Sequence, residues 1–343
     1  MPRDMKAWRQ ALLSAPYKKP LPILSFPAVQ LMGITVRDLI SSSDHQANAM
    51  ARVAQRTDAS ASVSFMDLSV EAEAFGATIR VSDDEVPTVT GMLVHDEDEA
   101  AALSVPPVGA GRTGLYVESI RKACGLITDR PVLAGMIGPY SLAARLRDVS
   151  EIMMDSYDDP DLVHTLLQKA TGFLIAYAKA YKEAGANGLV IAEPVAGLLS
   201  PDLAAEFSAP YVKKIVDAVQ DDAFLIIYHN CGGAVIPQLP SILSTGAAAY
   251  HFGNAIDMRD VLQKVPADTI CMGNIDPAGE FRGGTPDSMR KATLRLLDAC
   301  GGYKNFVLSS GCDIPPLSKW ENIDAFFAAA RDYATACQAC CQA

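Results

Sequence analysis

The chain has no long hydrophobic run, and this excludes two classes of protein. Among its 343 residues, no apolar segment approaches the ~18 uninterrupted residues that a membrane-spanning helix needs. The N-terminal stretch MPRDMKAWRQALLSAPYKKP has charges scattered through it and lacks the apolar centre of a secretory signal. We therefore expect a cytoplasmic protein with no membrane partner.

The chain is also poor in positive charge. It has 29 lysines and arginines against 40 aspartates and glutamates, which gives a formal net charge of −11 at pH 7. Proteins that bind the phosphate backbone of nucleic acids depend on clustered lysine and arginine. The composition therefore argues against a nucleic-acid partner.

Paired cysteine motifs are lacking outside the C-terminal stretch CQACCQA, so the eight cysteines do not indicate a closed structural zinc site. A disulfide framework is excluded because it is typical of small secreted domains. Cys124, Cys271 and Cys300 lie in apolar surroundings and are interpreted as buried thiols. The C-terminal cluster comprises Cys337, Cys340 and Cys341. It contains no histidine, and we expect it to lie on a flexible tail, residues 335–343.

What the chain does have is a regular alternation of short apolar runs and long amphipathic segments. The runs cover residues 21–26, 61–66, 131–137, 188–192, 224–228, 247–253, 269–274 and 305–310. Most are apolar throughout, as expected of parallel strands that are buried on both faces. Eight strands that alternate with helices predict an α/β protein with one (β/α)8 barrel, or TIM barrel, over residues 1–343.

Three details accompany this prediction. Residues 1–20 are expected to form an N-terminal helical extension of the barrel. The interval between the second and third strands is too long for one helix, and ATIRVSDDEVPTVTGMLV within it is interpreted as an inserted excursion such as a β-hairpin. Ser200 before Pro201 and Thr285 before Pro286 are typical of helix starts.

Polar residues follow the predicted strands at the end where a barrel carries its active site. They include Asp67, Glu71, Glu73, Glu193, His229, Cys231, Asn254, Asp257, Asn274, Asp276, Cys312 and Asp313. His229, Cys231 and Cys312 are distinctive because imidazole and thiolate are soft metal ligands. They follow the fifth and eighth runs, which can face each other across one barrel mouth. His251, in the sixth run, is a candidate to hold a metal ligand in position without binding the metal itself.

One histidine and two cysteines form the ligand set of a catalytic zinc site that keeps its fourth position open. Two thiolates leave zinc with little positive charge, which suits a substrate thiol held as a nucleophilic thiolate. The expected reaction is alkylation of that thiolate, and Glu193 is a candidate displaceable fourth ligand. Two other interpretations stay open: a buried histidine with two core thiols, and a Cys231 nucleophile with His229 as its base.

The stretch YHNCGG, followed about eighty residues later by SSGCDIPP, resembles the H-x-C…C zinc signature of the methylcobamide:coenzyme M methyltransferases. These enzymes belong to the uroporphyrinogen decarboxylase superfamily. The stretches MDLSVEAEAFGATI, MIGPYSLAARL, AEPVAGLLSPDLAAEFSAPYVKKI and MGNIDP support the resemblance, which extends roughly from Arg9 to Tyr333. It implies a (β/α)8 barrel, in agreement with the eight runs.

The resemblance also implies a reaction and a set of roles. The implied zinc ligands are His229, Cys231 and Cys312. Zinc would hold an acceptor thiol, such as coenzyme M, and the thiolate would take the methyl group of a methylcobamide such as methylcobalamin. Glu71 and Glu193 would serve catalysis, and Asn254 and Asp67 would bind the cofactor. The corrinoid would arrive on a separate protein, because the chain has no D-x-H-x-x-G cobalamin-binding motif.

Three alternatives to this function stay open. In the first, the methyl acceptor is tetrahydrofolate instead of a thiol. The second is uroporphyrinogen decarboxylation, which needs an arginine cluster of the MRQAGR type, whereas this chain reads WRQALLSAP and then PILSFPAVQLMG. The third is a non-catalytic protein that binds zinc or a corrinoid on the same scaffold.

Overall fold

The computed structural model describes residues 3–342, with side chains described for residues 3–337. Its strands are β1 (Ser62–Val63), β2 (Thr78–Arg80), β3 (Thr88–Thr90), β4 (Val132–Ile137), β5 (Gly188–Ala192), β6 (Leu225–Asn230), β7 (Ala249–Phe252), β8 (Ile270–Ile275) and β9 (Phe306–Ser310). Seven of them form one curled parallel sheet in the order β1-β4-β5-β6-β7-β8-β9. The architecture is α/β and consistent with a TIM-like fold.

Helices connect the strands of this sheet. They are α1 (Met5–Ser14), α2 (Ala28–Met32), α3 (Val36–Ile40), α4 (Ser43–Arg56), α5 (Val70–Ala74), α6 (Glu97–Ala102), α7 (Thr113–Leu126), α8 (Pro139–Arg147), α9 (Val149–Asp158), α10 (Pro160–Glu183), α11 (Pro201–Phe207), α12 (Ala209–Val219), α13 (Val235–Ser244), α14 (Met258–Leu262), α15 (Pro286–Cys300) and α16 (Trp320–Gln342). Short helical turns cover Ala196–Leu198 and Pro277–Arg282. In the described part of the chain, none of these helices combines the length and apolar character needed to cross a membrane.

The central strands are buried along their whole length, as their apolar sequences predicted. Every residue of β4, β5 and β6 is buried. One face of the sheet contributes Leu133, Val190 and Ile227 to an inner core, and the other face packs against the helices in a larger core. Burial of both faces explains why these strands show no alternation of polar and apolar residues.

Helix α1 closes the inner core at the end of the sheet where the strands begin. Met5 and Leu12 pack in that core, and the Met5 N–H donates to the Asp222 carbonyl, 2.8 Å away, just before β6. The helical part of the expected extension, residues 1–20, is this one helix. The opposite end of the sheet, where the strands finish, is left for a site.

The first apolar run, residues 21–26, is not a strand, so the sheet has seven strands where the sequence predicted eight. Prolines at 20, 22 and 27 provide no N–H donor, and a strand that lacks these donors cannot build a regular ladder. The run nevertheless lies between the two edge strands. The Leu21 N–H donates to the Leu308 carbonyl at 2.9 Å, and the Ser60 N–H, close to β1, donates to the Pro20 carbonyl at 2.9 Å.

The stretch between β1 and β4 contains the antiparallel pair β2 and β3, in which Thr78 faces Thr90. Both predicted helix starts are confirmed, since the Ser200 and Thr285 side chains cap α11 and α15. At the C-terminus, α16 is helical to Gln342. The side chains of Cys340 and Cys341 lie outside the described residues, so the prediction for the cysteine cluster is not tested.

Candidate metal centre

Three soft side chains meet at the carboxyl end of the sheet. His229 lies near the end of β6, Cys231 follows that strand directly, and Cys312 lies two residues beyond β9. Their donor atoms all lie within 4.8 Å of one another. In the part of the chain that the structure describes, no other group of three or more histidine, cysteine or carboxylate side chains is arranged to hold a metal ion.

His229 presents a free nitrogen to this group. Its Nε2 atom is buried and has no hydrogen-bond partner. Its Nδ1 atom lies 2.8 Å from His251 Nδ1 and 3.2 Å from the His251 carbonyl oxygen. A metal-bound histidine commonly donates its other ring N–H to such a partner, and this contact fixes the ring orientation. The buried, unpartnered Nε2 atom therefore has the environment of a metal ligand.

His251 belongs to a chain of hydrogen bonds that extends away from the three donors. His251 Nε2 lies 2.7 Å from Ser309 Oγ, and the Ser309 hydroxyl donates to the Leu21 carbonyl at 2.7 Å. One assignment of protons satisfies the whole chain: His229 Nδ1–H donates to His251 Nδ1, and His251 Nε2–H donates to Ser309. Burial, together with the neighbouring His229, lowers the pKa of His251 well below its usual value. His251 is therefore neutral, as this assignment requires.

Gly253 allows Cys231 to reach the site. A Cβ atom at position 253 would lie 2.5 Å from the Cα atom and 2.6 Å from the Cβ atom of Cys231. Real side chains do not approach a backbone this closely. Glycine is therefore required here for the position of Cys231, although it follows β7 and lies more than twenty residues away in the chain.

The two thiols interact directly. A hydrogen bond from Cys312, opposed by burial and assisted by His229, lowers the pKa of Cys231 to about 4. The same hydrogen bond, with burial, raises the pKa of Cys312 well above its usual value. Before a metal binds, the pair therefore consists of one thiolate and one thiol that donates to it. A metal that binds both sulfurs must displace the Cys312 proton.

A cavity of about 80 Å³ adjoins the three donors. Its lining consists of Ile23, Met66, Leu68, Ala192, Pro194, His229, Cys231, Cys312 and Asp313. Asp313 contributes a buried Oδ1 atom without a hydrogen-bond partner. Burial raises the pKa of the Asp313 carboxyl well above its usual range. The sequence placed Asp313 after the last strand but assigned it no role, because only packing reveals the unpartnered oxygen.

Glu71 is a second buried carboxyl at this end of the sheet. Its Oε1 atom accepts a hydrogen bond from the N–H of Ile137, the last residue of β4, at 3.1 Å. Its Oε2 atom is buried and unpartnered. Burial raises the pKa of Glu71 from 4.5 to about 8, so the carboxyl carries a proton at neutral pH. Glu71 can therefore donate a hydrogen bond or a proton.

Glu193 directly follows β5 and holds the start of α8. Its carboxylate accepts hydrogen bonds from the Tyr140 N–H at 2.9 Å, the Ser141 N–H at 2.9 Å and the Ser141 hydroxyl at 2.7 Å. Burial raises the pKa of Glu193 to about 7, although these hydrogen bonds oppose the shift. Both oxygens have partners, and Glu193 is not part of the three-donor group.

The other two predicted site residues differ in their surroundings. Asp67 is buried and accepts hydrogen bonds from Arg112, from Ser69 Oγ at 2.6 Å and from the Tyr116 hydroxyl at 2.8 Å. Arg112 comes from the loop GAGRTG that precedes α7. Asn254 is exposed after β7, and a Cβ atom at Gly311 would lie 2.7 Å from its Oδ1 atom. The structure thus places Asn254 beside the segment that carries Cys312.

Comparison with models of protein families shows to which family the chain belongs. The model of the uroporphyrinogen decarboxylase (URO-D) family matches residues 24–333. The chain belongs to the URO-D family. This family member is similar to the methylcobamide:CoM methyltransferase MtbA of Methanosarcina mazei, with 30% identity over 275 residues, 78% of each chain. It is also similar to the uroporphyrinogen decarboxylase of Alcanivorax borkumensis, with 25% identity over 304 residues, 85% of this chain and 84% of that one.

A solved structure of a methyltransferase shares the fold. A methyltransferase from Methanosarcina mazei matches the URO-D family member with a TM-score of 0.84 and 25% identity, over 96% of this chain and 99% of that chain. A B12-independent methionine synthase from Shewanella matches with a TM-score of 0.62 at 13% identity, which shows the fold alone. The MtbA relatives and the first of these structures identify the URO-D family member as a methyltransferase.

Replacement of Gly253 tests the geometry of the centre. In Gly253→Ala, the added Cβ atom must displace Cys231, and we expect affinity for Zn²⁺ to fall by roughly 10–100-fold, the range seen when the support of a metal ligand is lost. The affinity is measured by competition with a chromophoric chelator. Gly233→Ala is the matched control, since a Cβ atom at 233 meets nothing within 4 Å. Equal affinity in Gly253→Ala and the wild type would show that the contact does not position Cys231.

The pKa of Glu71 gives a prediction for stability. The pKa of Glu71 in the folded protein is about 8, whereas the unfolded chain loses this proton near the ordinary pKa of 4.5. Unfolding therefore releases a proton in this window, and the contribution of Glu71 to the free energy of unfolding falls as pH rises. Glu71→Gln removes this dependence, so we expect its stability relative to the wild type to increase by on the order of a few kcal/mol from pH 5 to pH 8.

Urea denaturation at several pH values measures this difference. Glu183→Gln is the control, because Glu183 is exposed at the last position of α10. Stability curves for Glu71→Gln and the wild type that stay parallel across the window would contradict a protonated, buried Glu71.

Proposed function

We propose that this protein is a zinc-dependent methyltransferase that moves a methyl group from a protein-bound methylcobamide to a thiol acceptor. The observation that carries the proposal is the meeting of His229, Cys231 and Cys312, with an orphaned His229 Nε2, at the carboxyl end of the sheet. The similarity to MtbA of Methanosarcina mazei supports it, since that protein is named as a methylcobamide:CoM methyltransferase.

The three side chains fit zinc. One imidazole and two sulfurs are ligands that zinc binds in catalytic sites, which leave one position open. His229 would bind through Nε2, held by His251 behind it, and Cys231 and Cys312 would bind through their sulfurs. When bound there, zinc would lower the pKa of an acceptor thiol while two thiolate ligands keep that sulfur nucleophilic.

The methyl transfer can be written with balanced atoms and charges. The acceptor thiol loses its proton to solvent. A bond forms between its sulfur and the methyl carbon as the bond between that carbon and cobalt breaks. Both electrons of the broken bond stay with the corrinoid, whose cobalt leaves as cobalt(I). Approach of the corrinoid from the carboxyl end of the sheet is the geometry that this step needs, because α1 fills the other end.

The other residues that the sequence predicted for the site would have supporting roles in the methyl transfer. Glu71 would supply a protonated carboxyl near the end of β4. Glu193 would fix the start of α8, and its three hydrogen bonds favour this role over a place as fourth zinc ligand. Asp67 would position Arg112, and Asn254 is exposed where an incoming corrinoid protein would contact it.

The position of Arg9, the arginine of WRQALLSAP, argues against decarboxylation of uroporphyrinogen. Arg9 belongs to α1, and its guanidinium donates to the carbonyl of Asp268, just before β8, at 2.9 Å. It therefore lies at the end of the sheet opposite to the three donors. An arginine that binds substrate carboxylates would have to lie at the donor end.

The proposal is tested with zinc-loaded protein under anaerobic conditions. Methylcobalamin is mixed with a thiol, then separately with tetrahydrofolate, and the corrinoid absorbance reports loss of the methyl group. We expect demethylation with a thiol. Demethylation with tetrahydrofolate but not with the thiol would show that the methyl acceptor is a pterin and not a thiol. Absence of any demethylation, also with corrinoid proteins as donors, would contradict the proposed activity and favour a binding role.

Replacement of Cys312 distinguishes a role in metal binding from a role in folding. We expect Cys312→Ala to lose stoichiometric zinc and demethylation while the circular dichroism of the folded protein persists, because Cys312 lies beyond β9 and outside the apolar cores. Cys124→Ala is the control, since Cys124 lies on α7 beside Asn187, which precedes β5 at the opposite end of the sheet from the donors. Full activity with stoichiometric zinc in Cys312→Ala would contradict the ligand assignment.

A further inference from the structure

One arginine at the carboxyl end of the sheet has no partner in the protein. Arg145 belongs to α8, the helix that begins just after β4, and its side chain is partly buried. In the part of the chain whose side chains the structure describes, its guanidinium takes part in no hydrogen bond or ion pair. Burial lowers the pKa of Arg145, and no neighbouring carboxylate opposes this effect. Arginine nevertheless stays charged in proteins, so this site contains a partly buried cation without an anion.

Two other arginines in this region are paired within the protein. The Nε atom of Arg147, two residues further along α8, lies 2.7 Å from Asp155 Oδ2, and its Nη2 atom lies 3.8 Å from Glu151 Oε2. Arg112 likewise binds two carboxylates. Charges that are taken out of water are normally paired in this way, because an unpaired buried charge is unfavourable. The missing partner of Arg145 therefore indicates an anion that comes from outside the chain.

The face of α8 that carries Arg145 borders the candidate metal centre. Ser141 lies four residues before Arg145 and therefore on the same face of the helix. Its hydroxyl donates to Glu193 at 2.7 Å and accepts a hydrogen bond from the Val195 N–H at 3.1 Å. Pro194, between these two residues, lines the cavity beside the three donors. Arg145 thus lies about 6 Å further along the helix face that borders this cavity.

The guanidinium determines the chemistry of the missing partner. Its forked N–H donors match the oxygens of a carboxylate, a phosphate or a sulfonate. Two substrates of the proposed reaction can carry such a group: an acceptor thiol with an anionic end, and a corrinoid with a phosphate in its nucleotide tail. A single guanidinium suits a single oxyanion. Decarboxylation of uroporphyrinogen would need an arginine cluster, and Arg112 is already bound to Asp67 and Glu73.

We propose that Arg145 is a specificity-determining residue that binds one oxyanion carried by a substrate of the methyl transfer. The inference rests on the proposed function, because the two candidate carriers are the acceptor thiol and the corrinoid. Arg145 would hold the non-reacting part of that substrate. The methyl group, the electron pair and the thiol proton follow the same course as in the reaction described above.

A binding measurement without turnover tests the acceptor as the carrier. Isothermal titration calorimetry of zinc-loaded protein compares 2-(methylthio)ethanesulfonate with the neutral 2-(methylthio)ethanol. In Arg145→Gln we expect affinity for the sulfonate to fall roughly tenfold or more, as when one partner of a charge pair is removed, and affinity for the neutral ligand to stay the same. Arg145→Lys should retain part of the affinity, since it keeps the charge but not the forked donors.

A second measurement tests the corrinoid as the carrier. Demethylation of methylcobalamin is compared with that of methylcobinamide, which lacks the nucleotide and its phosphate. If Arg145 binds this phosphate, Arg145→Gln should raise KM for methylcobalamin roughly tenfold and leave KM for methylcobinamide unchanged. The value of kcat should change little in either case, because Arg145 does not touch the reacting atoms.

The stability of the variant separates a role in binding from a role in folding. Since Arg145 has no partner, Arg145→Gln leaves no group of the protein unpaired. We therefore expect its temperature of thermal unfolding without ligand to be no lower than that of the wild type. Arg52→Gln is the control for the change in net charge, because Arg52 is exposed on α4.

The outcomes distinguish the inference from the activity on which it depends. Equal sulfonate affinity and equal KM for methylcobalamin in Arg145→Gln and the wild type would overturn the role of Arg145 while the methyl transfer stands. A variant that unfolds more easily and loses the charged and neutral ligands alike would also overturn it, in favour of a structural role. Sulfonate binding that requires Arg145 in a protein that demethylates no corrinoid would overturn the proposed function and leave the oxyanion site in place.

Discussion

The contact between His229 and His251 is the interaction on which the candidate metal centre depends. The two residues are register partners on the neighbouring parallel strands β6 and β7, so the sheet itself brings the rings together. The contact passes through Ser309 on β9 to the carbonyl of Leu21. Four separate parts of the chain therefore determine the orientation of one imidazole. The nitrogen that remains free is the one that faces Cys231 and Cys312.

Burial explains the chemistry of the surrounding groups. At the carboxyl end of the sheet, Glu71 keeps its proton because its carboxyl is buried with one unpartnered oxygen. Glu193 is equally buried but receives three hydrogen bonds from the start of α8, and the pKa of Glu193 rises less, to about 7. Burial raises the pKa of both carboxyls, and the hydrogen bonds that each accepts oppose this effect.

Much of the sheet could be predicted from the sequence, because strands buried on both faces leave continuous apolar runs. Seven of the eight runs overlap strands of the sheet. The prediction of a strand in the first run was wrong because it did not take Pro22 into account. Proline has no N–H to donate to the hydrogen-bond ladder of a sheet. The group of three donors could be predicted because His229, Cys231 and Cys312 are unusual residue types at the ends of strands.

Other features of the site have no signal in a single sequence. The pairing of His229 with His251 depends on strand register, and the need for glycine at 253 depends on the path of the chain beside Cys231. The unpartnered oxygen of Asp313 and the hydrogen bonds of Glu193 depend on packing. The contact of Arg112, in the stretch GAGRTG, with Asp67 could not be predicted from the sequence either, since only folding brings the two residues together.

X-ray absorption at the zinc edge tests the central claim most directly, since it counts the atoms that bind the metal. For zinc-loaded protein we predict two sulfur neighbours at about 2.3 Å and at least one nitrogen at about 2.0 Å. Addition of a thiol acceptor should raise the sulfur count from two to three. A zinc ion with four protein ligands that does not change on addition of thiol would contradict an open catalytic centre.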